Sequence, residues 1–209
     1  MSQATTLRIL IADNHAIFRQ GLATIINRDP EMQVIAQAKN GEQAIALFHE
    51  HQPNVTLMDL RMPEVEGVGA IGAICAAAKS ARIIVLTTYD GDEDIYRGLQ
   101  AGAKGYLLKE TEPDELLNAI RTVHRGQKYI PPDVGAKLVQ RLRNPELSER
   151  ELDVLRSLAQ GMSNADIAAA LNIGAGTVKS HVNRILNKLD VSDRTQAVIV
   201  AVKRGIVSL

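Results

Sequence analysis

Four short apolar runs, each handing over to a polar residue, limit what this chain can become. They are LRILIA before Asp13 and Asn14, VTLM before Asp59, RIIVL before Thr87 and Thr88, and GYLL before Lys109. A brief, unbroken apolar run bounded by turn-forming residues fits a strand buried on both faces, as in a parallel sheet covered by helices. Ligands of such open sheets bind in the crevice beyond the carboxyl ends of the strands. Taken alone, Asp59 reads equally well as a helix cap in a turn held by Pro63 and Gly67. Taken with Asp13, Thr87 and Lys109, it belongs to a carboxylate pair, a hydroxyl and an ammonium that converge on one pocket, a set suited to phosphoryl chemistry.

Between these runs the apolar spacing switches to the helical period. Phe18, Leu22, Ile25 and Ile26 follow it, as do Ala44, Ile45, Leu47 and Phe48, and Leu116, Leu117, Ile120 and Val123 behind Pro113. An Ala/Ile-rich stretch from about Val68 to Lys79 and another from Asp92 to Ala101 supply two more helices. With MQVIAQA (Met32 to Ala38) as a further strand, five strands alternate with five helices across residues 1–125. That alternation implies an α/β, doubly wound parallel sheet. Residues 126–145, rich in Gly and Pro, read as a linker holding one helix with Val134, Leu138, Val139 and Leu142 on its apolar stripe.

From residue 146 to 209 the pattern is helical only. Ser148 with Glu151, and Ser163 with Asp166, are paired start signals for two helices. Leu152, Leu155 and Leu158 mark the inner face of the first, and Ala165, Ala168 and Leu171 that of the second. NIGAG is a turn, Thr177 to Leu189 a third helix with Val178, His181 or Val182, Ile185 and Leu189 inward, and Ser192 opens a fourth. Such an array matches a helix-turn-helix, whose second helix enters the major groove of DNA; a generic helical bundle fits the spacing alone.

The 209 residues allow two domains of ordinary size, and a hydrophobic content of 45% supports a packed core in each. No run approaches the ~18 apolar residues of a transmembrane helix, and Met1 to Leu10 lacks a signal-peptide layout, so the cytoplasm is the expected location. The lone Cys75 excludes an internal disulfide, and no His/Cys cluster has zinc spacing. Zero net charge hides a division: residues 1–125 hold 12 Lys/Arg against 16 Asp/Glu, whereas residues 174–204 hold 6 against 2. The late positive excess suits phosphate binding.

In order and spacing, IADNH, LMDLRMPEVEG, VLTTYD and AGAKGYLLKE resemble the receiver domain of two-component response regulators, from about Leu7 to Arg125. LSERELDVLRSLAQGMSNADIAAALNIGAGTVKSHVNRILNKLDVSDRTQAV (Leu147 to Val198) resembles the LuxR-type helix-turn-helix of the NarL/FixJ family. The resemblance implies strand order 2-1-3-4-5, with the topological switch between the strands ending at Asp13 and Asp59. It implies Asp59 as phosphoacceptor, a sensor histidine kinase as its partner, and Thr87, Thr88 and Tyr106 as switch residues. Double-stranded DNA and RNA polymerase are the further implied partners of a transcription factor that is not a free-standing enzyme.

A carboxylate attacking phosphorus must overcome repulsion by the phosphoryl oxygens, so a divalent cation is expected; Mg²⁺ takes oxygen ligands and keeps several waters. Asp13, Asp59 and the main-chain carbonyl of Arg61 are the candidate ligands, with Lys109 and Thr87 on the phosphoryl oxygens. The family usually has two adjacent acids where this chain has Asp13-Asn14. Asn14 offers a metal an oxygen without charge, which weakens the expected Mg²⁺ affinity. It also opens a second reading, an atypical (pseudo-)receiver transcription factor not controlled by Mg²⁺-dependent phosphorylation. A phosphatase or kinase acting on outside substrates fits less well, because Arg61 stands two residues after Asp59, where a general acid would be needed, and there is no P-loop.

On the third helix, Lys179, Ser180 and Asn183 lie away from Val178, Val182 and Ile185 and so face base edges, with Thr177, Lys188 and Arg194 assigned to phosphates. Val198, Ala201 and Val202 form an apolar stripe on the last helix, which a symmetric partner would cover. A homodimer on a pseudo-palindromic operator follows.

Overall fold

The computed structural model describes residues 6–88, 91–143 and 147–207. Tyr89, Asp90 and the expected domain junction at Pro145 and Glu146 lie outside the described residues. Two compact units are present, one drawn from the chain up to Gly135, the other from Ala136 onward together with Gly91–Glu93.

Through residue 124 the elements run β1 (Leu7–Ala12), α1 (Ala16–Asn27), β2 (Met32–Ala38), α2 (Gly41–His51), β3 (Val55–Met58), α3 (Gly67–Ala77), β4 (Ile83–Thr87), α4 (Asp92–Gln100), β5 (Gly105–Leu108) and α5 (Pro113–His124). The sheet is parallel throughout, in the order β2-β1-β3-β4-β5 that the resemblance to receivers implies. Every residue of β3 and of β4 is buried, which is why those runs are mostly apolar and do not alternate. On one face, Ile9, Ile11, Leu57, Ile84, Leu86 and Leu107 pack with Leu22 and Ile26 of α1 and Leu116, Ile120 and Val123 of α5. Each such side chain contributes about 1.5 to 3 kcal/mol of burial, enough to hold the strand ends in fixed register.

That register builds the site. Ala12 pairs with Met58, so the next residues, Asp13 and Asp59, emerge side by side at the point where strand order reverses. Thr87 pairs with Leu108, which brings Lys109 to the same edge, its N–H donating to the Thr87 carbonyl at 2.9 Å. The turn after β3 is pinned by Gly67, whose N–H donates to the Leu60 carbonyl at 2.9 Å. A Cβ there would lie 2.0 Å from the Asp59 carbonyl oxygen, so only glycine lets α3 begin this close to the strand end.

The linker helix is present as α6 (Pro132–Arg143), with Val134 buried and Val139 and Leu142 largely exposed. The second unit carries α7 (Glu149–Ala159), α8 (Asn164–Ala170), α9 (Ala175–Leu189) and α10 (Arg194–Lys203). Both start signals are reciprocal capping boxes, Ser148 with Glu151 and Ser163 with Asp166. Val154, Leu155, Leu158, Ile167, Val178, Ile185 and Leu189 form the core with Ala197 and Ala201. Two inner-face assignments change. Val154 is buried where Leu152 was expected, and Ala165 is exposed while Ile167 fills the core. α8 has 7 residues, fewer than two turns, so its apolar spacing carries little information about rotational phase.

Candidate functional site

Asp13 and Asp59 end β1 and β3 with carboxylates almost wholly buried, and the Lys109 ammonium lies 2.7 Å from Oδ2 of each. Two anions in so dry a place repel one another, and the shared cation offsets that repulsion. The other oxygens are also engaged: Asp13 Oδ1 accepts the His15 backbone N–H at 2.7 Å, and Asp59 Oδ1 the Arg61 N–H at 3.3 Å. The Arg19 guanidinium donates to the Asp13 carbonyl at 2.6 Å and so ties α1 to the strand end. Lys109 Nζ also stands 4.9 Å from the centre of the Phe18 ring, a cation–π distance. Arg61 reaches sideways, donating to both carboxylate oxygens of buried Asp94 at 3.2 and 3.0 Å. Thr87 is fully buried at the end of β4.

These residues fit a divalent cation. One ligand atom from each of Asp13, His15 and Asp59 lies within 4.8 Å of the others, with both carboxylates at the buried end of the cleft. Such an ion adds positive charge where a phosphoryl group would otherwise be repelled.

In the second unit, Thr177, Lys179, Ser180 and Asn183 stand exposed on α9, while Val178, Ile185 and Leu189 are buried. Lys188 is turned inward, its ammonium 2.7 Å from Glu151 Oε2, which also accepts the Ser148 backbone N–H at 2.8 Å. Burial pushes the Glu151 carboxyl up, but the bonds from Lys188 and Ser148 outweigh it and hold the group below its ordinary value. The exposed Arg194 donates to the Met162 carbonyl at 2.7 Å.

Residues 9–121 match the response regulator receiver domain, and residues 145–201 match the bacterial regulatory proteins of the luxR family. This chain belongs to the response regulators with a luxR-type DNA-binding domain. An uncharacterized transcriptional regulatory protein of Bacillus subtilis, YxjL, is 41% identical, the match covering 96% of this chain and 97% of YxjL. The Staphylococcus aureus response regulator VraR is 36% identical over 97% of this chain and 99% of its own. Among solved structures, the Salmonella typhimurium response regulator RcsB superposes with a TM-score of 0.75 at 26% identity, covering 93% of this chain and 98% of that one. A structure of two RcsB dimers bound to two parallel DNAs gives 0.74 at 25% identity, covering 95% and 99%. The chain is thus a transcriptional regulatory protein that couples a receiver to DNA binding.

The structure of this response regulator brings Asp13, Asp59 and Lys109 into direct contact and places Thr87 beside Lys109 on the neighbouring strand. Asn14 is exposed, as is Thr88, whereas Tyr106 is fully buried in β5. Lys188, assigned to a DNA phosphate, is paired within the unit with Glu151, because its place on α9 borders the buried face. One assignment needs correction. Ala201, assigned to a dimer face, has no exposed surface; it belongs to the unit's own core, and Val198 and Val202 pack partly against that core. The exposed apolar side chain on α10 is instead Ile199, at 49%. Three residues escaped the sequence reading: His15 beside Asp13, Asp94 under Arg61, and Glu151 as a partner for Lys188. His15 could have been found, since it lies two residues beyond a strand-end carboxylate; the other two pairs span 33 and 37 residues and leave no local signal.

Proposed function

We propose that Asp59 is the residue phosphorylated in this regulator, that a sensor histidine kinase supplies the group, and that phosphorylation controls binding of a homodimer to pseudo-palindromic DNA through α9. The observation that carries this reading is the Lys109 ammonium shared at 2.7 Å by the Asp13 and Asp59 carboxylates in the crevice at the strand switch. An Asp59 carboxylate oxygen forms the new bond to phosphorus as the donor's leaving group departs in line. Lys109 then turns from the carboxylates to a phosphoryl oxygen, and the Thr87 hydroxyl donates to another. Mg²⁺ at Asp13, Asp59 and the Arg61 main chain would supply the charge that lets the two anions meet.

Thr87, Thr88 and Tyr106 connect this event to the rest of the receiver: a hydroxyl drawn toward the new phosphoryl group leaves space that Tyr106 repacks, shifting an equilibrium between two surfaces. On DNA, Lys179, Ser180 and Asn183 face base edges, with Thr177 and Arg194 beside the backbone. Contact with RNA polymerase and action in the cytoplasm belong to the same proposal; among the described residues no helix is long and apolar enough to cross a membrane.

The test is Mg²⁺-dependent labelling by a small phosphodonor, read by intact-protein mass, followed by operator titration. Asp59→Asn takes no label, Lys109→Ala is slowed, and labelled wild type binds the operator more tightly. Labelling of Asp59→Asn at the wild-type rate ends the assignment. Labelling at Asp59 without any change in operator affinity favours the phosphate-independent reading that the uncharged Asn14 suggests.

A further inference from the structure

We propose that His15 is a nitrogen ligand of the cation site at Asp13 and Asp59, so that this pocket takes a first-row transition cation, such as Co²⁺, Zn²⁺ or Mn²⁺, in preference to Mg²⁺. The inference rests on the site read above as the phosphoacceptor pocket and specifies its metal.

His15 Nδ1 lies 3.2 Å from Asp13 Oδ1 and 3.4 Å from the Lys109 ammonium. Donor atoms held ~2.1 Å from one ion stand about 3.0 Å apart at neighbouring octahedral positions and about 3.4 Å apart in a tetrahedron. The observed 3.2 Å therefore already suits a shared ion, and the Asp59 donor lies within the same 4.8 Å cluster. The arrangement is supported from behind. The His15 backbone N–H fixes Asp13 Oδ1 at 2.7 Å, and Arg19 fixes the Asp13 carbonyl at 2.6 Å. The imidazole is 65% exposed, so an ion can reach Nδ1 from solvent and the ring can turn to meet it. Lys109 binds the Oδ2 atoms of both carboxylates, so Asp13 Oδ1 is the oxygen that faces the imidazole.

Asn14 and His15 act on metal choice in different ways. An uncharged side chain at position 14 removes attraction for every dication alike. An imidazole adds affinity only for ions that accept nitrogen, which rise from Mn²⁺ through Co²⁺ and Ni²⁺, whereas Mg²⁺ holds to oxygen and its waters. The sum is a site poor in Mg²⁺ affinity and biased toward the later ions.

The experiment is calorimetric titration of the full chain with Mg²⁺, Mn²⁺ and Co²⁺, with the visible absorption of Co²⁺ as a ligand-field readout, on wild type, His15→Ala, His15→Gln and Asp59→Asn. Co²⁺ is expected to bind wild type at least about tenfold more tightly than Mg²⁺. Both His15 variants should lose about tenfold or more in Co²⁺ affinity, change the Co²⁺ spectrum, and hold Mg²⁺ within about threefold of wild type. Asp59→Asn should weaken both ions. Co²⁺ affinity unchanged in both His15 variants overturns the proposal. Retention of the full Co²⁺ signal by Asp59→Asn also overturns it, placing the ion elsewhere. Mg²⁺-dependent labelling of Asp59 in wild type, run alongside, separates the two ideas: label present with Co²⁺ binding indifferent to His15 removes the nitrogen ligand and spares the phosphoacceptor, while absent label with His15-dependent Co²⁺ binding does the reverse.

Discussion

Lys188→Met is the substitution that most directly sets the structure against a reading of the sequence. The Lys188 ammonium is 2.7 Å from a Glu151 carboxylate that is 3% exposed, so the mutation leaves a buried anion without its cation. Removing one partner of a buried pair costs about 3 to 5 kcal/mol. Glu151 keeps the Ser148 N–H at 2.8 Å, and Met keeps most of the Lys stem in place, so a cost below that range, about 2 to 3 kcal/mol, is expected. That corresponds to roughly 30- to 150-fold faster amide exchange in α7 and α9 through opening of the unit, measured by hydrogen-exchange mass spectrometry on the full chain. Peptides from the β-sheet should be unaffected. Because Glu151 titrates below its ordinary range in the folded unit, the stabilisation from this pair is complete above the unfolded carboxyl's pKa and is lost as pH falls through the folded value. The gap between wild type and mutant should therefore close on acidification. On DNA, the slope of log K against log salt should stay the same. Unchanged exchange in α7 and α9 together with a slope flatter by about one would show that Lys188 serves a phosphate, and the packing argument would be wrong.

Other substitutions probe the remaining features. Gly67→Ala forces a methyl group to within 2.0 Å of the Asp59 carbonyl, so the turn must move; labelling by phosphodonor should fall at least about tenfold and the melting temperature should drop, and wild-type labelling would show the turn to be compliant. Asn183→Ala and Lys179→Ala should each cost about 1 to 3 kcal/mol on operator DNA and relax preference at one position per half-site, measured by anisotropy against scrambled duplexes; equal weakening on both duplexes would mean another rotation of α9 in the groove. Ile199→Asp should leave the second unit folded and weaken dimerisation in sedimentation, whereas Ala201→Asp should unfold the unit, because it buries a charge in the core; the opposite pattern would restore Ala201 to the interface.

The fold was legible because its signals are local and repeated. Short, mostly apolar runs in β3 and β4 fitted strands covered on both faces, and the two Ser-x-x-acid pairs marked the starts of α7 and α8. Strand order was not legible in that sense. Alternating strands and helices permit several orders, and it was the resemblance to receivers that supplied the one observed. Where local spacing was short, reading failed: over the seven residues of α8 it put Ala165 on the inner face, and the larger Ile167 took the interior instead.

Within the sites, what could be read were groups delivered by strand ends, since the pleat and the register decide where Asp13, Asp59 and Lys109 emerge. What could not be read was which charges spend themselves on each other. Lys188 illustrates the difference. Val178, Ile185 and Leu189 define the inner stripe of α9, and a residue three beyond Ile185 and one before Leu189 sits at the margin of that stripe rather than opposite it. A lysine at such a margin can lay its stem along the core and aim its ammonium at any anion the neighbouring helix presents. Glu151 is that anion, because the capping box that starts α7 already turns its carboxylate back toward the helix start. The same carboxylate thus closes a helix terminus and ties down α9, the helix proposed to meet DNA, so a charge that looked available for phosphate also holds the helix that carries Lys179 and Asn183.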